Sequence, residues 1–309
     1  EIPLASMMAH IACTGSLALA LALANLAPGG AHVNAPRHNL RISQARVRME
    51  AVDGGSEVPS TYTLPDSFDD AAMKCINTVL GCLSRGLTKV TVEFDLSAGD
   101  ETYTTLRNSM NIAREMTSQL HAELCADCDA SLQLLFPDEG TAALLKREWA
   151  MPESVKFNSL NRFTLPENVA ACLIVAPTAL DVTSLAKLLA SEEVISSGTP
   201  LVVLNPQLVD MATGALGLEG RTVMKRMNAE FTEGFVLKTL VGGALTRAYP
   251  GNYALWREDA GETGGYAFVK DQLSRPNFLD MMDDLAPEDE STPGFVKEIG
   301  RFIKGLQSL

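Results

Sequence analysis

The runs VAACLIVA at 169–176 and PLVVLN at 200–205 are apolar almost from end to end. A strand with water on one face alternates apolar and polar side chains. An unbroken apolar strand is covered on both faces, as in a parallel sheet between layers of helices. The intervening segment 181–195 reads as a helix, the kind of crossover that parallel strands require. Upstream, KVTVEFD at 89–95 and SLQLLF at 131–136 supply two more strands, joined by a predicted helix over 100–124 with Leu106, Met110, Ala113, Leu120 and Leu124 inward. Another helix is expected over 138–150. The first helix opens on the turn and cap signal Pro65-Asp66-Ser67, ends near Gly86, and carries Phe68, Ala72, Cys75, Val79 and Cys82 as one buried stripe.

Downstream the rhythm changes. After a helix at 219–231, the segments 235–240, 244–249, 253–258 and 266–272 follow as short strands separated by Gly and Pro turns. Connections this short force antiparallel pairing. The predicted fold class is therefore α/β: a layered, mostly parallel sheet with helices on both faces, extended by an antiparallel β-meander and closed by a helix at 276–285. It forms a single domain over 61–285.

The 309 residues hold 25 Lys+Arg against 38 Asp+Glu, a net charge of -13, with 46% hydrophobic residues. Mean hydropathy is +0.08 and the pI is near 4.8. A chain this long can bury a core without disulfides or a structural metal. Its acidity would repel a phosphate backbone, so nucleic acid is excluded as a partner.

The two ends differ from the middle. No Asp, Glu, Lys or Arg occurs from Ile2 to Pro36, and the Leu/Ala run at 16–27 has the length of a signal-peptide core rather than a membrane span. Arg37, Arg41, Arg46 and Arg48 then precede the next acid, Glu50, the composition of an organelle transit peptide. The expected order is a signal peptide at 1–31 and a plastid transit peptide at 32–49. Such a bipartite presequence addresses a secondary plastid inside the secretory system. An acidic linker at 286–294 leads to an amphipathic helix at 295–309. Phe295, Val296, Ile299, Phe302, Ile303 and Leu306 form its apolar stripe, with Lys297, Arg301 and Lys304 opposite. A basic amphipathic helix can lie on an anionic membrane, fill a partner's groove or pack on its own domain.

Other motifs carry less. Cys125 and Cys128 form a lone C-x-x-C that follows a helix instead of opening one, with no second pair for a closed zinc site; a redox or metal role competes with a structural one. Cys75, Cys82 and Cys172 read as buried thiols. His121 is the one histidine after residue 49, so any Ser-His or Cys-His machinery would need it. Gly214, Gly217 and Gly220 stand between a strand and a helix but miss the dinucleotide spacing by one residue. No cofactor or metal is expected.

FVLKTLVGGALTRAYPGNYALWRED from Phe235 and GYAFVKDQLSRP from Gly265 give the most specific signal, around Arg247-Ala-Tyr249-Pro250, Trp256-Arg257-Glu258 and Gly265-Tyr266. With LPDSFDDAAMKC at 64–75, KVTVEFD and PLVVLNPQL, this stretch resembles an uncharacterised domain of plants, algae and cyanobacteria. That domain occurs in Low-PSII-Accumulation-3-type photosystem II assembly proteins and C-terminal to a plastid adenylate kinase. The resemblance covers about 61–285 and implies a stromal protein of the plastid linked to photosystem assembly or maintenance, with photosystem subunits or assembly factors as partners; the C-terminal helix would supply a peripheral contact with the thylakoid. It brings no catalytic residues, and the kinase part of the fused relatives is absent. Arg247, Tyr249, Trp256 and Arg257 are of the types favoured at protein interfaces, and Tyr249 and Trp256 equally suit a core with their polar tips satisfied. The alternative is a nucleotide- or metabolite-binding enzyme using the crevice at the ends of the parallel strands, near Asn205 and Gln207.

Overall fold

Ser67 sets the first helix: its hydroxyl accepts the Asp70 amide N–H at 3.2 Å, and α1 runs Phe68–Ser84. The computed structural model describes residues 64–95, 104–126, 129–164, 168–208, 217–259, 261 and 265–286. Contacts divide the chain into Glu1–Arg41 and Ile42–Leu309, and every described residue belongs to the second unit. The presequence, the 51–60 linker and the 295–309 helix lie outside the described residues.

After α1 come β1 (Lys89–Asp95), α2 (Thr104–Leu124), β2 (Ser131–Phe136), α3 (Glu139–Trp149) and β3 (Val155–Ser159). Then follow β4 (Val169–Val175), α4 (Val182–Ala190), α5 (Glu192–Ser197), β5 (Leu201–Leu204) and α6 (Leu218–Glu230). The last part is β6 (Thr232–Leu240), β7 (Gly243–Ala248), β8 (Tyr253–Glu258), β9 (Tyr266–Gln272) and α7 (Phe278–Leu285). All nine strands make one sheet, in the order β3-β2-β4-β5-β1-β6-β7-β8-β9. Pairing is parallel from β3 to β6 and antiparallel from β6 to β9.

The α/β expectation is met, and the order explains how. From β1 the chain steps one way along the sheet to β2 and β3, then reverses through β4 and β5 to β6. Crossovers keep one hand, so reversing the step sends the helices to the opposite face. One core accordingly joins α1, α2 and α3 to Val90, Val92, Phe94, Leu132, Leu134, Val202 and Leu204. The other joins α4, α5 and α6 to Leu135, Cys172, Ile174, Leu201 and Val203. Alternate residues of PLVVLN thus enter different cores, which is why that strand has no polar face. A third, smaller core lies between the meander and α7: Val236, Leu240, Leu245, Tyr253 and Leu255 against Met281 and Leu285.

Two elements depart from the sequence reading. VKFNS forms β3, a strand at the sheet edge that the sequence reading lacks. The single helix expected at 181–195 is two, because Ser191 adopts an extended backbone with ψ 127° between α4 and α5.

Candidate functional site

The connections after β1 and β5 leave in opposite senses, so a crevice is expected at the C-terminal ends of these neighbouring strands. Asn205 occupies it. Both β4 and β5 end in residues of left-handed backbone, Ala176 with φ 46° and Asn205 with φ 48°. The turn drives the Asn205 side chain down onto β1, where Oδ1 accepts the Phe94 N–H at 2.5 Å. Its Nδ2 donates to the Phe94 carbonyl at 2.9 Å and to Ser109 Oγ at 2.8 Å. Asn205 is 4% exposed. It links the end of β5 to β1 and, through Ser109, to α2. Gln207 stands outside this junction, exposed, with its backbone N–H on the Pro177 carbonyl at 2.8 Å. Beside it Thr178 and Asp181 form a capping box, the Asp181 carboxylate accepting the Thr178 N–H at 2.8 Å.

The other predicted residues belong to the meander. Arg247 is half-buried on β7 and lies over the Tyr253 ring, 4.4 Å from its centroid, and 5.9 Å from that of Tyr249. It donates to Tyr253 Oη at 2.6 Å and to the Gly251 carbonyl at 3.3 Å. Tyr253 in turn donates to Glu233. Arg275, in the loop before α7, bridges Glu233 at 2.5 Å and Glu93, and Lys238 reaches Glu93 at 2.7 Å. The network ties β1, β6, β7 and β8 to the segment that carries α7.

Its electrostatics follow from burial and pairing. Burial opposes ionisation of Glu93, yet Arg275 and Lys238 outweigh it and hold the carboxyl below the usual carboxylate range. Burial works against the charge of Arg275 as well, and Glu93 and Glu233 more than compensate, raising its pKa. Burial, reinforced by the Glu233 carboxylate, pushes Tyr253 up to about 12.

Trp256 faces the other way. It is 8% exposed, donates Nε1–H to Thr246 Oγ1 at 2.9 Å, and meets Phe268 edge-on with ring centroids 5.5 Å apart. Tyr249 packs against the core that holds α1. Arg257 is half-buried at the end of β8. The structure thus brings Arg247 and Tyr249 together and leaves Trp256 on a separate cluster with Ala244 and Ala254. Sequence reasoning missed Glu93, Glu233, Lys238, Tyr253 and Arg275. One signal was available: a charge at Glu93, inside a strand expected to be covered on both faces, needs a partner.

His121 Nε2 lies 2.6 Å from Ser154 Oγ at the opposite, N-terminal end of the strands. Among the described residues no carboxylate holds the other ring nitrogen, so the third member of a triad is missing. Cys75, Cys82, Cys125 and Cys172 are buried thiols that form no disulfide with one another. Burial pushes Cys82 up to about 11 and Cys172 to about 12, and raises Cys75 as well. Cys128, Gly214 and the apolar stripe from Phe295 to Leu306 lie outside the described residues. Among the described residues no group of three or more His, Cys, Asp or Glu could hold a metal ion, and no helix is long and apolar enough to cross a membrane.

Six parallel strands wound on both faces, an asparagine that ties β5 to β1 and a charge-bridged meander define a doubly wound α/β protein with an antiparallel extension. The chain belongs to the family described as domain of unknown function (DUF1995), whose model matches residues 65–282. No curated protein and no solved structure matches it.

Proposed function

We propose that this protein is a non-enzymatic plastid factor that assists photosystem assembly or maintenance, with photosystem II the first candidate, by binding photosystem subunits or assembly factors at the thylakoid surface. The observation that carries the choice over a metabolite enzyme is Asn205. Where an open α/β sheet would present polar groups to a ligand, its side chain is committed on every side to Phe94 and Ser109. A small-molecule site needs convergent polar groups that are still free. Support for the address comes from the sequence: the resemblance to Low-PSII-Accumulation-3-type proteins and the signal-plus-transit composition of 1–49. The last strand and the segment after it leave Phe268, Leu273 and Phe278 substantially exposed, apolar contacts available to a protein partner.

The test is affinity purification of the tagged protein from gently solubilised thylakoids and from stroma, with partners identified by mass spectrometry. Photosystem subunits are expected in the thylakoid eluate. They are expected to be lost when residues 295–309 are removed, if that basic amphipathic helix supplies the membrane-side contact. A protein recovered alone from both fractions would overturn the assembly role and return attention to the crevice.

A further inference from the structure

The sheet has two ends, and they differ. At one end β9 is bulged where the register shifts between Leu255 and Trp256, and its Lys270 is held by Asp284 of α7. Bulges and charges of this kind blunt an edge against strand addition. At the other end β3 pairs with β2 in unbroken register, from Leu132↔Val155 to Phe136↔Ser159. In a parallel ladder each residue directs its N–H and C=O to the same side, alternating along the strand. The Leu132 N–H donates to the Ser154 carbonyl, so Ser154, Lys156 and Asn158 face β2, while Phe157 directs both backbone groups outward. Among the described residues those two groups have no partner.

An open groove of about 390 Å³ runs beside this edge, between β3 and α3. Ala142 and Ala143 keep the helix wall low, and Phe157 forms the floor. The floor is rigid, since Phe157 stacks on Phe136 at 6.1 Å and meets Trp149 edge-on at 5.7 Å. Of the charged side chains lining the groove, Arg162 is paired with Glu139 at 3.0 Å, and Lys146 has no ion pair among the described residues. Among the described residues, the one charge in the groove left without an ion pair is therefore the Lys146 ammonium, which favours an anionic occupant. A second copy, by contrast, would bring a strand without alternating acids to Lys146 and add the repulsion of two strongly acidic proteins.

We propose that the groove between α3 and the edge strand β3 binds an extended acidic segment of a partner protein, which adds a strand to β3 through the backbone of Phe157 and sets a carboxylate on Lys146. Main-chain pairing supplies affinity in this mode and the flanking groove supplies selectivity. The inference stands apart from the assembly role, because the groove lies at the far edge of the sheet from the meander.

The probes are three labelled heptapeptides: one alternating Val and Glu, one alternating Val and Lys, and the acidic one N-methylated at alternate residues. Titration of the full chain by fluorescence anisotropy is expected to rank the acidic peptide at least about tenfold tighter than the lysine one, a difference of about 1.4 kcal/mol, with the N-methylated peptide failing to bind. Lys146→Glu is expected to reverse the charge preference, and Ala143→Trp to fill the groove and abolish binding. Both positions are solvent-exposed on α3, and retained thermal unfolding midpoints verify that the variants fold. Amide NMR shifts on peptide addition should centre on Phe157. Equal affinity for the two charged peptides, absence of binding by all three, shifts centred elsewhere, or dimerisation of the free chain that Phe157 variants abolish would each overturn the proposal.

Discussion

Gly243, at the start of β7, sits under the carbonyl of Trp256 and the side chain of Leu285. A Cβ there would lie 2.2 Å from the Trp256 oxygen and 2.6 Å from Leu285 Cδ2. The first contact is with backbone and cannot be relieved by a rotamer change, so Gly243→Ala is expected to destabilise by about 1–3 kcal/mol or more and to loosen α7. Gly81 is the control. It lies inside α1 with nothing within 4 Å of its would-be Cβ, and Gly81→Ala is expected to stabilise by about 0.8–1 kcal/mol through helix propensity alone. Thermal melts of the two variants should therefore move in opposite directions. The thiols give a second prediction at this scale. Cys75, Cys82 and Cys172 are buried with raised pKa values, so in a chain lacking Cys13, Cys125 and Cys128, alkylation at neutral pH should proceed only as fast as the fold opens. Rapid labelling of any of the three in the native state would contradict their placement.

At the scale of elements, α7 is held in part by charge. Two side chains, Met281 and Leu285, are buried beneath it, and Arg275 and Asp284 pin its ends to Glu93, Glu233 and Lys270. Glu93 has a depressed pKa in the folded chain, so its contribution is present above the unfolded carboxylate value, about 4.3, and is lost as pH falls through the folded value. Tyr253 is displaced upward, to about 12; its contribution is present below the unfolded tyrosine value, about 10, and is lost as pH rises toward the folded one. Denaturant unfolding across pH should show both limbs. Glu93→Gln is expected to lower stability at neutral pH and flatten the acid limb, and Tyr253→Phe to flatten the alkaline one. How far such features can be read from sequence depends on their range. VAACLIVA and PLVVLN announce themselves because burial on both faces leaves no polar side chain within either strand before its end. VKFNS does not, since an edge strand pairs on one side and keeps Lys156 and Asn158. Ser191 divides a helix that composition makes continuous. The Arg275–Glu93 pair joins residues 182 apart, and Lys238–Glu93 joins residues 145 apart, separations at which neither spacing nor periodicity carries a signal. Asn205 stands out in the sequence for its place at a strand end. That its side chain turns onto β1 depends on a left-handed φ and on Phe94, 111 residues away.

Across the whole molecule, the place of β1 in the sheet has a consequence for how the protein is made. The first strand among the described residues lies between β5 and β6, and both are among the later segments to be synthesised. While the polypeptide is emerging, KVTVEFD has no neighbour on either side, and the apolar stripe of α1 has no sheet to cover. Local order cannot resolve this, because the missing contacts are remote in sequence, the condition that slows folding and exposes intermediates. Chains truncated at Ala190 or Glu230 are expected to remain protease-sensitive, and resistance to appear in a chain carried through to Leu285. The N-terminal half of this domain is thus a dependent of the C-terminal half. Any compartment that receives the chain end-first, across a membrane or from a ribosome, must keep its leading segment from aggregating until the meander arrives.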